Sequence, residues 1–356
     1  MAVGFPTKAN WAAGDVLTAA QMDDLAGTVN TLAYVPPRNP ILNSNMSVWQ
    51  RGISAAGSYP TYLADRWMNY RSTTGSTFSR QSTNDTTNLP NIQYCQRIQR
   101  DSGNTSTAGI YISQSLETVN SRPFAGQAVT LSWYARAGAN FSAASSNMTV
   151  ELTSGTGTDQ NVIAGFTGAS SVISTTKSIT TTWVRYSVTG TVPATSTQLG
   201  INLYFIPVGT ASTNDYMEIT GVQLELGSTA STYYPNGNTY QAELAACQRY
   251  YWRVSAASTF YRLGSGLGTT TSLAAFVVKN PTTMRTIPTA LEYSNPLITD
   301  GTANYTGGTL ALAYANPETI GIDYTHGSAA LTVYRPYFLF TNGASASAYI
   351  GATAEL

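Results

Sequence analysis

A chain of 356 residues is long enough for two or three domains, and 10% charged residues with zero formal net charge describe a globular protein whose surface is polar but barely charged. With no net charge and no run of Lys or Arg, counterion release has nothing to act on, which excludes nucleic acid as the partner. The single histidine removes Ser-His-Asp catalysis and multi-histidine metal sites, the two distant cysteines make no disulfide framework, and no stretch reaches the roughly 18 apolar residues of a membrane helix.

The opening MAVGFPTKANWAAGDVL lacks a continuous apolar core, so synthesis in a cytosol is expected. Residues 18–33 carry the clearest helix signal, with Thr18 as N-cap and Gln21 completing a capping box. Met22, Leu25, Val29 and Leu32 then recur at coiled-coil spacing. Such a short seam suits a helix held by sister chains or a docking partner, or one lying on its own domain. Val35-Pro36-Pro37 ends it as a stiff linker.

From residue 39 the pattern turns to strands. Ile41, Met46 and Val48 read as a first strand and Ala64 to Tyr70 as a second, with Asp65 and Arg66 expected to pair beneath a buried Trp67. Strands follow at Gln93 to Arg97, Ile110 to Leu116, Ala128 to Ala135, Met148 to Leu152, Trp183 to Val188, Leu199 to Ile206 and Tyr216 to Leu226. In the last, Met217 and Ile219 are apolar on odd positions but Val222, Leu224 and Leu226 on even ones, so the phase slips at Gly221. That slip predicts a β-bulge. Short antiparallel strands separated by Gly, Pro, Asn and Ser predict an all-β chain whose residues 36–235 form a jelly-roll sandwich.

Beyond the turn-rich STASTYYPNGN, residues 238–247 read as a short helix capped by Asn238 and Gln241. Strands resume at Gln248 to Val254, Thr259 to Leu263, Leu273 to Val278, Thr289 to Tyr293, Leu310 to Tyr314, Ile320 to Thr325, Ala330 to Tyr334, Tyr337 to Thr341 and Ala348 to Thr353. Residues 236–356 are therefore expected to form a second, smaller β-sandwich. Gly264-Ser-Gly266-Leu-Gly268 reads as a flexible hairpin loop, not a phosphate cradle. AALTVY and YFLFT are uncharged and β-prone, so they should be central in a sheet or covered by another chain.

Chemistry-bearing clusters are sparse. The acids stand singly, Glu218 and Glu225 fall on opposite sides of the inferred bulge, and His326 sits on a turn. No catalytic residue, cofactor or metal ligand is assigned. Aromatics carry the better signal: Trp133, Tyr134, Trp183, Tyr186 and Tyr204 lie in or beside strands, where each either packs the core or offers a face to a sugar ring.

Family resemblance sharpens this reading. KANWAAGDVLTAAQM resembles the opening of phage tail-fibre and other virion-appendage proteins, in which this segment attaches to the particle. NPILNSNMSVWQRG, YLADRW and GVQLELGSTASTYYPNGNTYQAELAACQRYYWR are similar to a central module of such proteins, and VVKNPTTMRTIPT with YIGATAEL to their distal domain. VTLSWYARAG, TTTWVRYSVTGTVPA and YMEITGVQLELG resemble strands of jelly-roll carbohydrate-binding modules. The resemblance implies a structural protein of the virion, a homotrimeric tail fibre and not an enzyme. It implies attachment to other tail or baseplate proteins through residues 1–35 and binding of a bacterial surface polysaccharide. A head or neck decoration without ligand and a polysaccharide hydrolase are the alternative readings.

Overall fold

The computed structural model describes residues 39–57, 61–89, 91–256, 260–345 and 347–356. The helix expected over 18–33, with Met22, Leu25, Val29 and Leu32, lies outside the described residues. In chain order the first twelve strands are β1 (Ser54–Ala56), β2 (Thr61–Tyr62), β3 (Met68–Tyr70), β4 (Ser76–Ser82), β5 (Tyr94–Arg100) and β6 (Ile110–Ser115), then β7 (Ala128–Ala137), β8 (Asn147–Gly155), β9 (Ser170–Ser178), β10 (Val184–Thr191), β11 (Gln198–Phe205) and β12 (Tyr216–Leu226). They form two antiparallel six-stranded sheets, ordered β1-β4-β5-β12-β7-β10 and β2-β3-β6-β11-β8-β9. The chain crosses repeatedly between them, which makes the sandwich a jelly roll.

Alternation builds the core from both sheets: Leu131, Trp133 and Ala135 of β7 and Met217, Ile219, Val222 and Leu224 of β12 meet Met148, Val150 and Leu152 of β8 and Ile201, Leu203 and Phe205 of β11. Gly221 keeps both halves of β12 facing inward. The register against β7 shifts between Thr220 and Gln223, and Gly221 stands at φ +59°. A Cβ there would lie 2.7 Å from the Tyr134 ring and 2.9 Å from Ile92, so glycine answers both the conformation and the crowding.

Two expectations for this half are corrected. Ile41 to Val48 is buried but forms turns, because the Asn43 side chain bonds the backbone in place of a ladder: its Nδ2 donates to the carbonyls of Val48 (2.8 Å) and Asp65 (3.0 Å), and its Oδ1 accepts from Val48 N (2.9 Å). Asp65 and Arg66 do not pair with each other. Asp65 accepts from Gln50, while Arg66 pairs with Glu355 and lies 3.5 Å from the centroid of the Tyr250 ring. Trp67 is buried as expected, and its Nε1 donates to Asn43 O. The sequence also hides β4 and β9, whose Ser- and Thr-rich strands carry little hydrophobic alternation.

The helix Tyr240–Gln248 starts one residue later than expected, since Thr239 and not Asn238 caps it by accepting from Ala242 N. Ten strands follow: β13 (Tyr251–Ser255), β14 (Tyr261–Gly268), β15 (Leu273–Lys279), β16 (Ala290–Ser294), β17 (Pro296–Thr299), β18 (Asn304–Thr306), β19 (Thr309–Ala315), β20 (Thr319–Thr325), β21 (Pro336–Thr341) and β22 (Tyr349–Thr353). They make a three-stranded sheet β13-β22-β16 and a seven-stranded sheet β18-β17-β21-β14-β15-β20-β19, which share a core containing Trp252, Ile350, Phe276, Ile322 and Leu339. The glycine run 264–268 is not a loop. It is the end of β14, pressed so closely on β15 that a Cβ at Gly266 would sit 1.9 Å from Ala275 O. YFLFT is central in β21, whereas Ala330 to Tyr334 forms turns and leaves Tyr334 exposed.

A polar joint ties this region to the sandwich. Arg66 and Arg51 both pair with Glu355, Arg51 also with Glu292 (3.3 Å), Arg285 with Asp159 (3.3 Å), and Asn161 Nδ2 donates to Leu356 O (2.8 Å). Arg66 is 2% exposed. Residues 236–356 therefore supply both the counter-charge of Arg66, Glu355, and part of its cover, the Tyr250 ring.

Candidate functional site

The two outer faces of the sandwich are finished differently. On the β5-β12-β7 side, Tyr134 is covered by Leu89, Ile92, Cys95, Trp183 and Tyr233, which form a satellite cluster outside the sheet. Beside it Glu218 is fully buried between Arg97 (2.6 Å) and Arg136. Trp183 donates from Nε1 to Thr83 O (3.2 Å), and the Arg136 guanidinium lies 4.9 Å from the centroid of its ring.

The outer face of β3-β6-β11-β8-β9 carries no such cover over its tyrosines. Tyr70 pairs across strands with Tyr111, Tyr111 with Tyr204, Tyr204 with Thr149, and Thr149 with Thr176, so one row crosses five strands. The Tyr111 and Tyr204 rings stack at 4.2 Å, and Tyr70 lies 5.9 Å from Tyr111 at 58°. All three are half-buried. These tyrosines alternate with Ile110, Ile112, Leu203 and Phe205, which go to the core, so strand phase alone turns them outward.

The neighbouring row is polar and runs Met68, Ser113, Asn202, Glu151, Ser174. Ser113 donates to Asn202 Oδ1 (2.8 Å), Asn202 donates to Glu151 Oε2 (3.1 Å), and Tyr204 donates its hydroxyl to Glu151 Oε1 (2.9 Å). Burial, helped by that bond to a carboxylate, pushes the Tyr204 phenol up to about 12, so it remains a donor at neutral pH. Glu151, Thr153, Ala169, Ser170, Ser171 and Ser174 line an open pocket of about 250 Å³ at the end of the row. A loop from Gln160 to Ala169 walls the face, with Val162 and Phe166 packed over Gly200, where any Cβ would collide with them. Ser113 and Asn202 are buried and serve to hold Glu151 in place, so what the face offers is the ring surface of the half-exposed tyrosines beside the Glu151 carboxylate and the serines of the pocket, which can accept the C–H face of a sugar and bond its hydroxyls.

Of the five aromatics singled out from the sequence, this face holds Tyr204. Trp133 is wholly in the core, its Nε1 directed at Met148 Sδ (3.3 Å), and Tyr186 stacks against it at 5.9 Å. Tyr134 and Trp183 belong to the covered side. The inward phase of β7 and the cover over β12 leave neither tryptophan a face for a sugar. Tyr70, Tyr111, Ser113, Glu151 and Asn202 were not anticipated. The signal available for Tyr111 was its position between two core isoleucines in IYISQS, which fixes it outward.

Among the described residues no group of three or more His, Cys, Asp or Glu could hold a metal ion. Both cysteines are free and buried.

No family model matches the sequence, and no curated protein matches it either. Among solved structures the chain is similar to the enzymatically active domain of tailspike protein 4 of bacteriophage CBA120, at TM-score 0.34 and 16% identity over 54% of this chain and 22% of that one. It is also similar to TmCBM61 in complex with β-1,4-galactotriose, at TM-score 0.33 and 10% identity over 53% of this chain and 99% of that one. A cyclase from Fischerella sp. TAU matches at TM-score 0.32 and 13% identity over 54% and 98%. These proteins differ in chemistry, and the jelly-roll assignment rests on the strand order described above.

Proposed function

We propose that the chain is a structural protein of a phage virion, a tail fibre whose jelly-roll sandwich binds a bacterial surface glycan through the outer face of β3-β6-β11-β8-β9. The observation that carries the binding role is the row Tyr70, Tyr111, Tyr204, half-exposed and flanked by the Ser113, Asn202, Glu151 chain. The phage assignment draws its support from the sequence resemblance of the quoted segments, which together cover nearly the whole chain. In this reading residues 1–35 attach the fibre to the tail or baseplate, and the weakly charged region 236–356 holds three copies together. Several copies per particle then turn weak single sites into firm attachment. A binding protein fits the acids better than a hydrolase, because Glu218 is locked between two arginines and Glu151 is the one acid among the residues lining its pocket.

Full-length protein on an array of bacterial surface polysaccharides tests the binding role, with light scattering to give the oligomeric state. Binding that is lost in a folded Tyr204→Ala variant supports the proposal. A folded wild-type protein that binds no glycan would leave a fibre of purely structural function.

A further inference from the structure

The open face carries one formal charge. Along the outward phase of its five main strands Met68, Ser113, Ser115, Gln198, Gly200 and Asn202 are buried, and the partly or fully exposed positions are Tyr70, Tyr111, Tyr204, Thr149, Glu151, Thr153, Ser171, Ser174 and Thr176. No Lys, Arg or His is among them. Elsewhere Glu218 meets Arg97 and Arg136, Asp215 meets Arg100, Glu355 meets Arg51 and Arg66, and Glu292 meets Arg51, whereas the buried Asp65 and Glu243 are held by neutral donors well away from this face. Glu151 is bonded only by neutral donors, the Tyr204 hydroxyl and the Asn202 amide, and makes no ion pair among the described residues. Its negative charge is therefore uncompensated, and it lies between the tyrosine row and the pocket that Glu151 itself lines.

Resting on the glycan-binding reading, we infer that this face selects non-acidic glycans, those built of neutral or amino sugars, and rejects chains bearing carboxylate, phosphate or sulfate. A chain laid across Tyr204 toward the pocket must pass Glu151. A neutral sugar offers hydroxyls to its oxygens, and an amino sugar adds an ammonium that gains from the charge. An anionic sugar meets like charge with no arginine nearby to receive it, whereas recognition of carboxylate or phosphate relies on such cations. The repulsion acts at the surface, so salt screens it.

The test is binding of the full-length protein to arrayed neutral, amino-sugar and acidic bacterial polysaccharides, comparing wild type, Glu151→Gln and Tyr204→Ala at low and high salt. The inference predicts wild-type binding confined to non-acidic chains. It also predicts at least a tenfold gain toward acidic chains in Glu151→Gln, the gain shrinking as salt rises. Wild-type binding to an acidic chain that Tyr204→Ala abolishes would overturn the charge selection and keep the site. Binding that Tyr204→Ala leaves intact, or no binding to any chain, would overturn the site and the selection with it.

Discussion

The sandwich presents two outer faces made from equally regular alternating strands, and the chain has covered one while leaving the other open. Over β12 and β7 the segment around Leu89 and Ile92 folds back on Tyr134, Trp183 seals the edge, and Glu218 is held by two arginines. Over β3, β6 and β11 three half-exposed tyrosines stand in a row, and the nearby Glu151 makes no ion pair among the described residues. Aromatics and an acid thus appear on both faces with opposite meanings. Residue type does not mark a binding face; what lies above it does.

The sharpest way to break that contrast is at Glu218. Glu218→Ala should destabilise the fold by about 3 kcal/mol, because it removes the buried carboxylate that holds the partly exposed Arg97 and Arg136 guanidiniums together, and chemical denaturation would read the loss. The same truncation at Glu151 should cost far less. If the two substitutions prove equal, the distinction between a structural and a displayed carboxylate fails.

A third carboxylate sharpens the comparison from the joint. Asp65 is 1% exposed and is bonded by Gln50 without a direct ion pair, and burial raises its pKa from the ordinary 3.8 to about 6. In the window between those values the folded state holds a proton that the unfolded state has released, so stability falls as pH rises through it. Acidification from pH 7 to about 4 should therefore strengthen this contribution by on the order of 2 kcal/mol. Denaturant midpoints across that range would show it, and Asp65→Asn should flatten the slope.

Gly221→Ala tests the covered face where it is tightest. A positive φ together with contacts to Tyr134 and Ile92 predicts a loss of about 1–3 kcal/mol, measured by thermal unfolding. A neutral outcome would mean that the cover over Tyr134 yields easily. The smallest effect on stability belongs to the open face. Tyr111→Ala should cost about 1–2 kcal/mol of fold, from the lost ring stacking and the half-buried ring surface. Its glycan affinity should nevertheless fall about tenfold, or roughly 1.4 kcal/mol, by titration against an array-identified oligosaccharide.

Taken by itself, the sequence determined whatever has a period of two. It placed most of the strands within a few residues, matched Tyr216–Leu226 at both ends, and located the bulge at Gly221 from a one-residue slip in apolar phase. Strands made of Ser and Thr, such as β9, gave no such signal, and the glycines of β14 read as a loop because their close approach to β15 depends on a distant neighbour. The tertiary structure alone decided that Tyr70, Tyr111 and Tyr204 share a row, that Trp133 and Trp183 do not, that Arg66 reaches Glu355 and not Asp65, and which face is left open. Side-chain phase is fixed by local backbone geometry, whereas sheet order, coverage and ion pairing are set by contacts between segments far apart in the chain.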